Sequence, residues 1–149
     1  MFPAPKASAV ALELAFSTED RALTSEDAFM WTYEQSTGRL SRDGVFVAAG
    51  YSGLDEAKNN AAMQEVHDKG PLPRGLYAIG RPVDTPTHGP FVLPLTPDPA
   101  NTMFGRSGFL IHGDSFQHPG RASNGCIILA HPIRERIAES GDTALTVVE

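Results

Sequence analysis

The chain has 149 residues, with 18 acidic and 12 basic side chains and a net charge of −6, a length that fits one domain. The 41% hydrophobic fraction is enough for one core, and the acidic balance without any basic block argues against the phosphate footprint of a nucleic-acid binder. A single cysteine excludes an internal disulfide and CxxC-type zinc or redox motifs, and no apolar run approaches the ~18–20 residues of a membrane-spanning helix.

At the N-terminus, Ala7 to Phe16 is an apolar run behind one lysine, Lys6, but Glu13 interrupts it and the acidic segment Ser17 to Asp20 follows. This lacks the three-part pattern of a secretory signal. Residues 1–28 are expected to form an N-terminal arm carrying one strand or helix, and residues 29–149 the domain. Glycine and proline contribute 14 and 12 residues, which favours many short strands and turns over long helices. The run Phe29–Gln35, the turn Ser36-Thr37-Gly38, a strand from Arg39, the turn Asp43-Gly44 and the run Val45–Tyr51 predict a β-meander. Polar Tyr51–Asn60 reads as loop, and Asn60 is placed to cap a short helix over Ala61–His67, closed by Gly70 and Pro71. Strands are expected at Gly75–Ile79 and Phe91–Leu95, with a proline-rich loop between them, then at Phe109–His112 and Cys126–Leu129. Pro132–Ser140 predicts a helix with proline in its first turn and Gly141 past its end, and Thr143–Val148 a last strand. The expectation is a mostly β fold with two short helices.

Ile111–Leu129, IHGDSFQHPGRASNGCIIL, holds the chemistry. Its cysteine, Cys126, follows Ser123-Asn124-Gly125, and His112 ends a buried strand fourteen positions upstream. A nucleophilic thiol needs a base and N–H groups aimed at the developing oxyanion. An unperturbed thiol near pKa 8.5 is only a few per cent thiolate at pH 7, and a neighbouring imidazolium that lowers it by about two units makes it mostly thiolate. The bland alternative is that Cys126 begins a strand as a small hydrophobe and that His112 is a satisfied core histidine.

The H…SxGC arrangement resembles the L,D-transpeptidase (YkuD-like) catalytic domain, and more closely the type VI secretion L,D-transpeptidase effector family. The matching stretches are WTYEQSTGRL at 31–40, YSG…KNN…MQ from 51 to 64, GPLPRGLYAIG at 70–80, FVLPLTPD at 91–98, MFGRSGFLIHGDS at 103–115, SNGCIIL at 123–129 and SGD at 140–142. The resemblance implies a mixed β-sheet or flattened barrel. It implies Cys126 as nucleophile and His112 as base, oriented by the Gly113 carbonyl. Ser123, Asn124 and Gly125 would shape the oxyanion hole, and Arg106, Asp114 and Arg121 would meet substrate. The substrate would be the peptidoglycan stem peptide, attacked where diaminopimelate joins D-alanine, with carboxypeptidase or exchange as the outcome and no cofactor. The partners implied are a type VI apparatus and a cognate immunity protein, for an antibacterial toxin made in the cytoplasm and acting in a target cell's periplasm. Two features depart from the housekeeping pattern: Asn124 replaces the histidine of SHGC, and the gap from His112 to Ser123 is short.

Rival readings are a zinc hydrolase using His112, Asp114, His118 and Cys126, a papain-like amidase, which would place Cys before His, and a non-catalytic wall-binding or interaction module. His67 reads as a structural helix-end residue, His88 and His131 as solvated loop residues beside glycine and proline, Lys58 to Asn60 as polar loop, and Trp31 and Tyr33 as packing on one strand face.

Overall fold

The computed structural model of the chain describes residues 30–149; the expected arm at 1–28 and the apolar run 7–16 lie outside the described residues. Among the described residues the strands are β1 (Trp31–Glu34), β2 (Arg39–Arg42), β3 (Val45–Ala49), β4 (Tyr51–Ser52), β5 (Gly75–Ile79), β6 (Val83–Thr85), β7 (Gly89–Pro97), β8 (Leu110–His112), β9 (Ile127–Ile128) and β10 (Ala144–Val148), with one α-helix, α1 (His131–Ser140). All ten belong to one sheet of order β3-β2-β1-β10-β5-β7-β8-β9-β4, with β6 paired to β7. Most pairs are antiparallel, but β10 runs parallel to β1 and β9 parallel to β8, so the sheet is mixed and the fold mostly β, as expected.

The meander forms where the turn residues predict it. Asp43 and Gly44 both take positive φ, 53° and 79°, the requirement of a two-residue hairpin turn matched to strand twist. Trp31 and Tyr33 alternate with half-exposed neighbours along β1 and are fully buried, the two-residue period of a strand with one face on the core. With Leu40, Leu72, Leu93, Ile111, Ile127, Ile137 and Leu145 they make one continuous core, each such side chain contributing about 1.5–3 kcal/mol by burial.

The two ends of the strand order, β3 and β4, are separated in the chain only by Gly50. One stretch of chain, 45–52, therefore pairs β2 with its first half and β9 with its second, and the sheet closes on itself as a flattened barrel. The Gly50 N–H donates to Gly38 O at 2.8 Å, and a Cβ at Gly50 would lie only 2.0 Å from Ile128 O. Only glycine lets the two strands meet here.

Three expectations need correction. The helix over 61–67 contracts to one 3-10 turn, Ala61–Met63, although Asn60 caps it as expected, its side chain accepting from Ala62 N. A tightly turning segment from Met63 to Gly70 replaces the rest, with Val66 N bonded to Met63 O and Gly70 N to Val66 O. The segment 51–60 is not plain loop, since Tyr51–Ser52 is the closing strand. The proline-rich loop after Ile79 contains β6, which makes a hairpin with the first half of β7.

The closure generates a prediction. Gly50→Ala pushes Cβ into backbone rather than a yielding side chain and should cost at least about 2 kcal/mol, lowering the thermal midpoint by roughly 5–10 °C. A midpoint within about 2 °C of wild type in a thermal melt contradicts the closure.

Candidate active site

His112 is the last residue of β8 and Cys126 immediately precedes β9, so parallel pairing brings together residues fourteen apart. The register sets Ile128 beside His112 and Ile127 beside Ile111; one step back lies Cys126 beside Leu110, whose N–H donates to Cys126 Sγ at 3.3 Å. His112 is 4% exposed, and its Nδ1 lies 2.8 Å from Gly113 O. A carbonyl only accepts, so Nδ1 carries the proton and Nε2 is left as the basic nitrogen.

The loop between them is held from several sides. Fully buried Ser123 donates through Oγ to Cys126 O at 2.6 Å and accepts from Gly53 N and Gly125 N. Ser52 Oγ, on β4, donates to Gly125 O at 2.9 Å. Gly125 has φ 140°, and a Cβ there would come within 2.6 Å of Arg106 and 2.7 Å of the Phe109 ring. Its N–H is therefore engaged by Ser123, and its place is to let the chain pass closely under Cys126. Asn124 is exposed and lines the cavity in front of Cys126.

The residues expected to meet substrate are arranged differently from a set of free contacts. Arg106 is 7% exposed, and its guanidinium donates to Gln64 O, Pro71 O, Gly70 O and Asn124 O. It acts as a clamp between the 64–71 segment and the SNGC loop. Asp114 accepts from Tyr51 OH at 2.7 Å and from the N–H groups of Ser115 and Gly120. Partial burial pushes its carboxyl up, but these bonds outweigh it and hold it below the usual carboxylate range. Arg121 is exposed and paired with Asp55. Among the described residues, no group of three or more His, Cys, Asp or Glu side chains is placed to hold a metal ion, so His112, Asp114, His118 and Cys126 do not converge as ligands.

Two cavities meet at His112. The smaller, about 230 Å³, is polar and lined by Cys126, His112, Asn124, His88, Asp68 and Ser107 among others. The larger, about 680 Å³, is bounded by His88, His112, Asp114, Phe116, His131 and Arg134 among others. Burial pushes the Cys126 thiol up, offset in part by the Leu110 N–H and the Arg106 charge. Burial likewise pushes His112 down, against the Gly113 hydrogen bond. Both shifts disfavour charge, so burial favours the thiol form of Cys126 and the neutral form of His112. This corrects the expectation of a standing thiolate: a buried histidine does not carry the positive charge that would lower the cysteine's pKa.

Sequence reasoning missed four residues. His88, read as solvated, is exposed as expected, but its ring centroid also lies 4.6 Å from that of His112. Arg134, in the helix, is buried and donates to Leu129 O, Phe91 O and Pro90 O, tying α1 to β7 behind the site; its spacing from Ile137 (i, i+3) was the available signal. Tyr51 and Ser52 were hidden in a segment read as polar loop. Tyr51 OH bridges Asp114 and Ala122 N, with its hydroxyl pKa pushed up to about 12, chiefly by burial and then by Asp114.

Residues 47–147 match the Tlde1 domain, and the chain belongs to this family, the type VI L,D-transpeptidase effector family that its motifs resemble. The match includes every candidate site residue but not the stretch 31–40. None of the curated proteins matches the chain. Among solved structures it is similar to Bd1075 of Bdellovibrio bacteriovorus, with TM-score 0.53, 15% identity, and coverage of 80% of this chain and 47% of that one. It is also similar to the helical cell shape determining protein Pgp2 of Campylobacter jejuni (TM-score 0.47, 18% identity, 80% and 46% coverage). A third similar structure is L,D-transpeptidase 1 of Mycobacterium tuberculosis (TM-score 0.47, 16% identity, 83% and 63% coverage). The chain spans about half the length of the first two. The likeness to Bd1075 shows a shared fold.

The neutral pair has a measurable consequence. The rate of Cys126 alkylation should rise with pH to a midpoint above the ordinary thiol value of about 8.5, with no plateau at acid pH. A reactive plateau below pH 7 would show a standing thiolate and contradict these electrostatics.

Proposed function

We propose that the protein is a cysteine-dependent enzyme of peptidoglycan stem peptides, an L,D-carboxypeptidase or L,D-transpeptidase, delivered as a type VI antibacterial effector. One observation carries the reading: the chain's single cysteine and a buried histidine with a free Nε2 open onto the same polar cavity. Membership of the Tlde1 domain family supports the substrate class.

In this reading His112 Nε2 takes the Cys126 proton as Sγ attacks the carbonyl between diaminopimelate and D-alanine, so that charge forms only during attack. The S–C bond forms, the C–N bond to D-alanine breaks, and the imidazolium returns its proton to the departing amine. Water or a second amine then attacks the thioester, releasing Cys126. Water gives trimming; an amine gives exchange or cross-linking. A lowered His112 pKa suits this role, because the base stays unprotonated at and below neutral pH. The buried site keeps the imidazolium costly except while it faces the developing oxyanion and thiolate.

Cys126→Ala should abolish release of D-alanine from purified tetrapeptide stems, followed by mass spectrometry. His112→Ala should lower kcat by about 10³-fold, within the range general acid–base catalysis commonly supplies. The double variant should be little worse, since residues acting as one unit are non-additive. Release undiminished in Cys126→Ala would refute the assignment. The delivery part of the proposal, with its periplasmic target and immunity partner, predicts that expression with an export signal inhibits growth of a Gram-negative host while cytoplasmic expression does not. Equal toxicity from both compartments would refute it.

A further inference from the structure

The hairpin β6–β7 ends beside the site in an elaborately fixed turn. His88 N–H donates to Thr85 Oγ1 at 2.8 Å, and Phe91 N–H to Asp84 Oδ1 at 3.0 Å. Thr87 Oγ1 lies 3.0 Å from His88 Nδ1, and from behind Arg134 binds the carbonyls of Pro90 and Phe91. The turn is thus held chiefly by its backbone and by Arg134, with the His88 imidazole adding only its Nδ1 contact to the adjacent Thr87. That ring is left against His112, with centroids 4.6 Å apart and planes tilted by 55°. His88 lines both cavities, the one containing Cys126 and the larger one beyond His112.

We propose that His88 is the second histidine of the reaction centre, a positioning residue that packs on the His112 ring and fixes its aim into the cavity shared with Cys126. Asn124 occupies the place where the housekeeping motif carries a histidine; here an imidazole reaches the centre from a different hairpin. A 10²-fold loss from a small misplacement of a catalytic group is a familiar scale, and the buried His112 ring is oriented by the Nδ1 bond to Gly113 O and by the His88 ring packed against it.

The charged and titratable groups around the pair are known. Asp114 favours a protonated His112, whereas His88 and Arg134 disfavour it. Asp68 and Cys126 line the smaller cavity and His131 the larger. Burial is the chief cause that holds His112 below the ordinary histidine value, so removing the ring packed on it opens His112 to water and eases its protonation. Its titration must therefore move up in pH.

The inference rests on His112 being the base, so one readout is independent of turnover. In His88→Ala and His88→Phe, the NMR titration midpoint of the His112 ring protons should rise toward the ordinary value in His88→Ala, and rise less in His88→Phe, which keeps a covering ring. On stem peptides, His88→Ala should lower kcat about tenfold with KM within about twofold, and shift the acid limb of kcat/KM upward by the amount seen in the NMR titration. His88→Phe should recover part of kcat. An unmoved His112 midpoint in both variants overturns the proposal whether or not stem peptides are the substrate. A moved midpoint in a protein that turns over no stem peptide leaves the coupling intact and refutes the functional reading instead. Wild-type kcat and acid limb in His88→Ala also overturn it, as does a change confined to thermal stability.

Discussion

The site exists because β8 and β9 run parallel. Parallel neighbours need a crossover, and the usual solution is a helix packed on the sheet. Here the crossover is the loop 113–126, without a helix; His112 immediately precedes it and Cys126 is its last residue. Such a loop is ordered only if its polar backbone finds partners. Ser52, Ser123 and Arg106 supply them beneath Cys126, while Tyr51 and Asp114 supply them at the far end. The barrel closure at Gly50 is part of the same device: it delivers Tyr51 and Ser52 to the edge of β9, where their hydroxyls meet the loop.

Electrostatics follow from that burial. A cysteine and a histidine enclosed by strand ends both favour their neutral forms. The Arg106 charge lies near enough to ease thiolate formation, but its hydrogen bonds are spent on four carbonyls, so it holds the loop first and acts on Cys126 second. In the proposed reaction, charge separation is confined to the moment of attack, which suits a base with Nδ1 anchored on Gly113 O.

Much of this was legible in the sequence where a single local rule governs. The Asp43-Gly44 turn, the buried alternation of Trp31 and Tyr33, and the helix between Pro132 and Gly141 each follow from one residue type at one position. The single cysteine after Ser123-Asn124-Gly125 and a histidine ending the apolar run before Gly113-Asp114 pointed to Cys126 and His112. What stayed hidden depends on partners distant in sequence. Arg106 gives no sign that it will be buried, since its four carbonyl acceptors come from 64, 70, 71 and 124. His88 looks like any histidine in a Thr-His-Gly turn until the hairpin folds against β8. The 61–67 segment has helix-forming residues, but it must turn back to meet Arg106 and Leu72's neighbours, and that tertiary demand overrides propensity. The sequence reading placed His112 on a buried strand but weighed only a neighbouring charge for the thiol, leaving out that burial itself disfavours the charged form of both groups.

The central claim is that Cys126 forms a covalent acyl intermediate using His112 as base. The most direct measurement is intact-protein mass spectrometry after rapid acid quench of the enzyme with a tetrapeptide stem, followed by peptide mapping. The account predicts a thioester on the peptide containing Cys126, heavier by the donor acyl group without D-alanine and absent in Cys126→Ala. D-Alanine release that persists in Cys126→Ala, or an adduct mapped to any other residue, would contradict it.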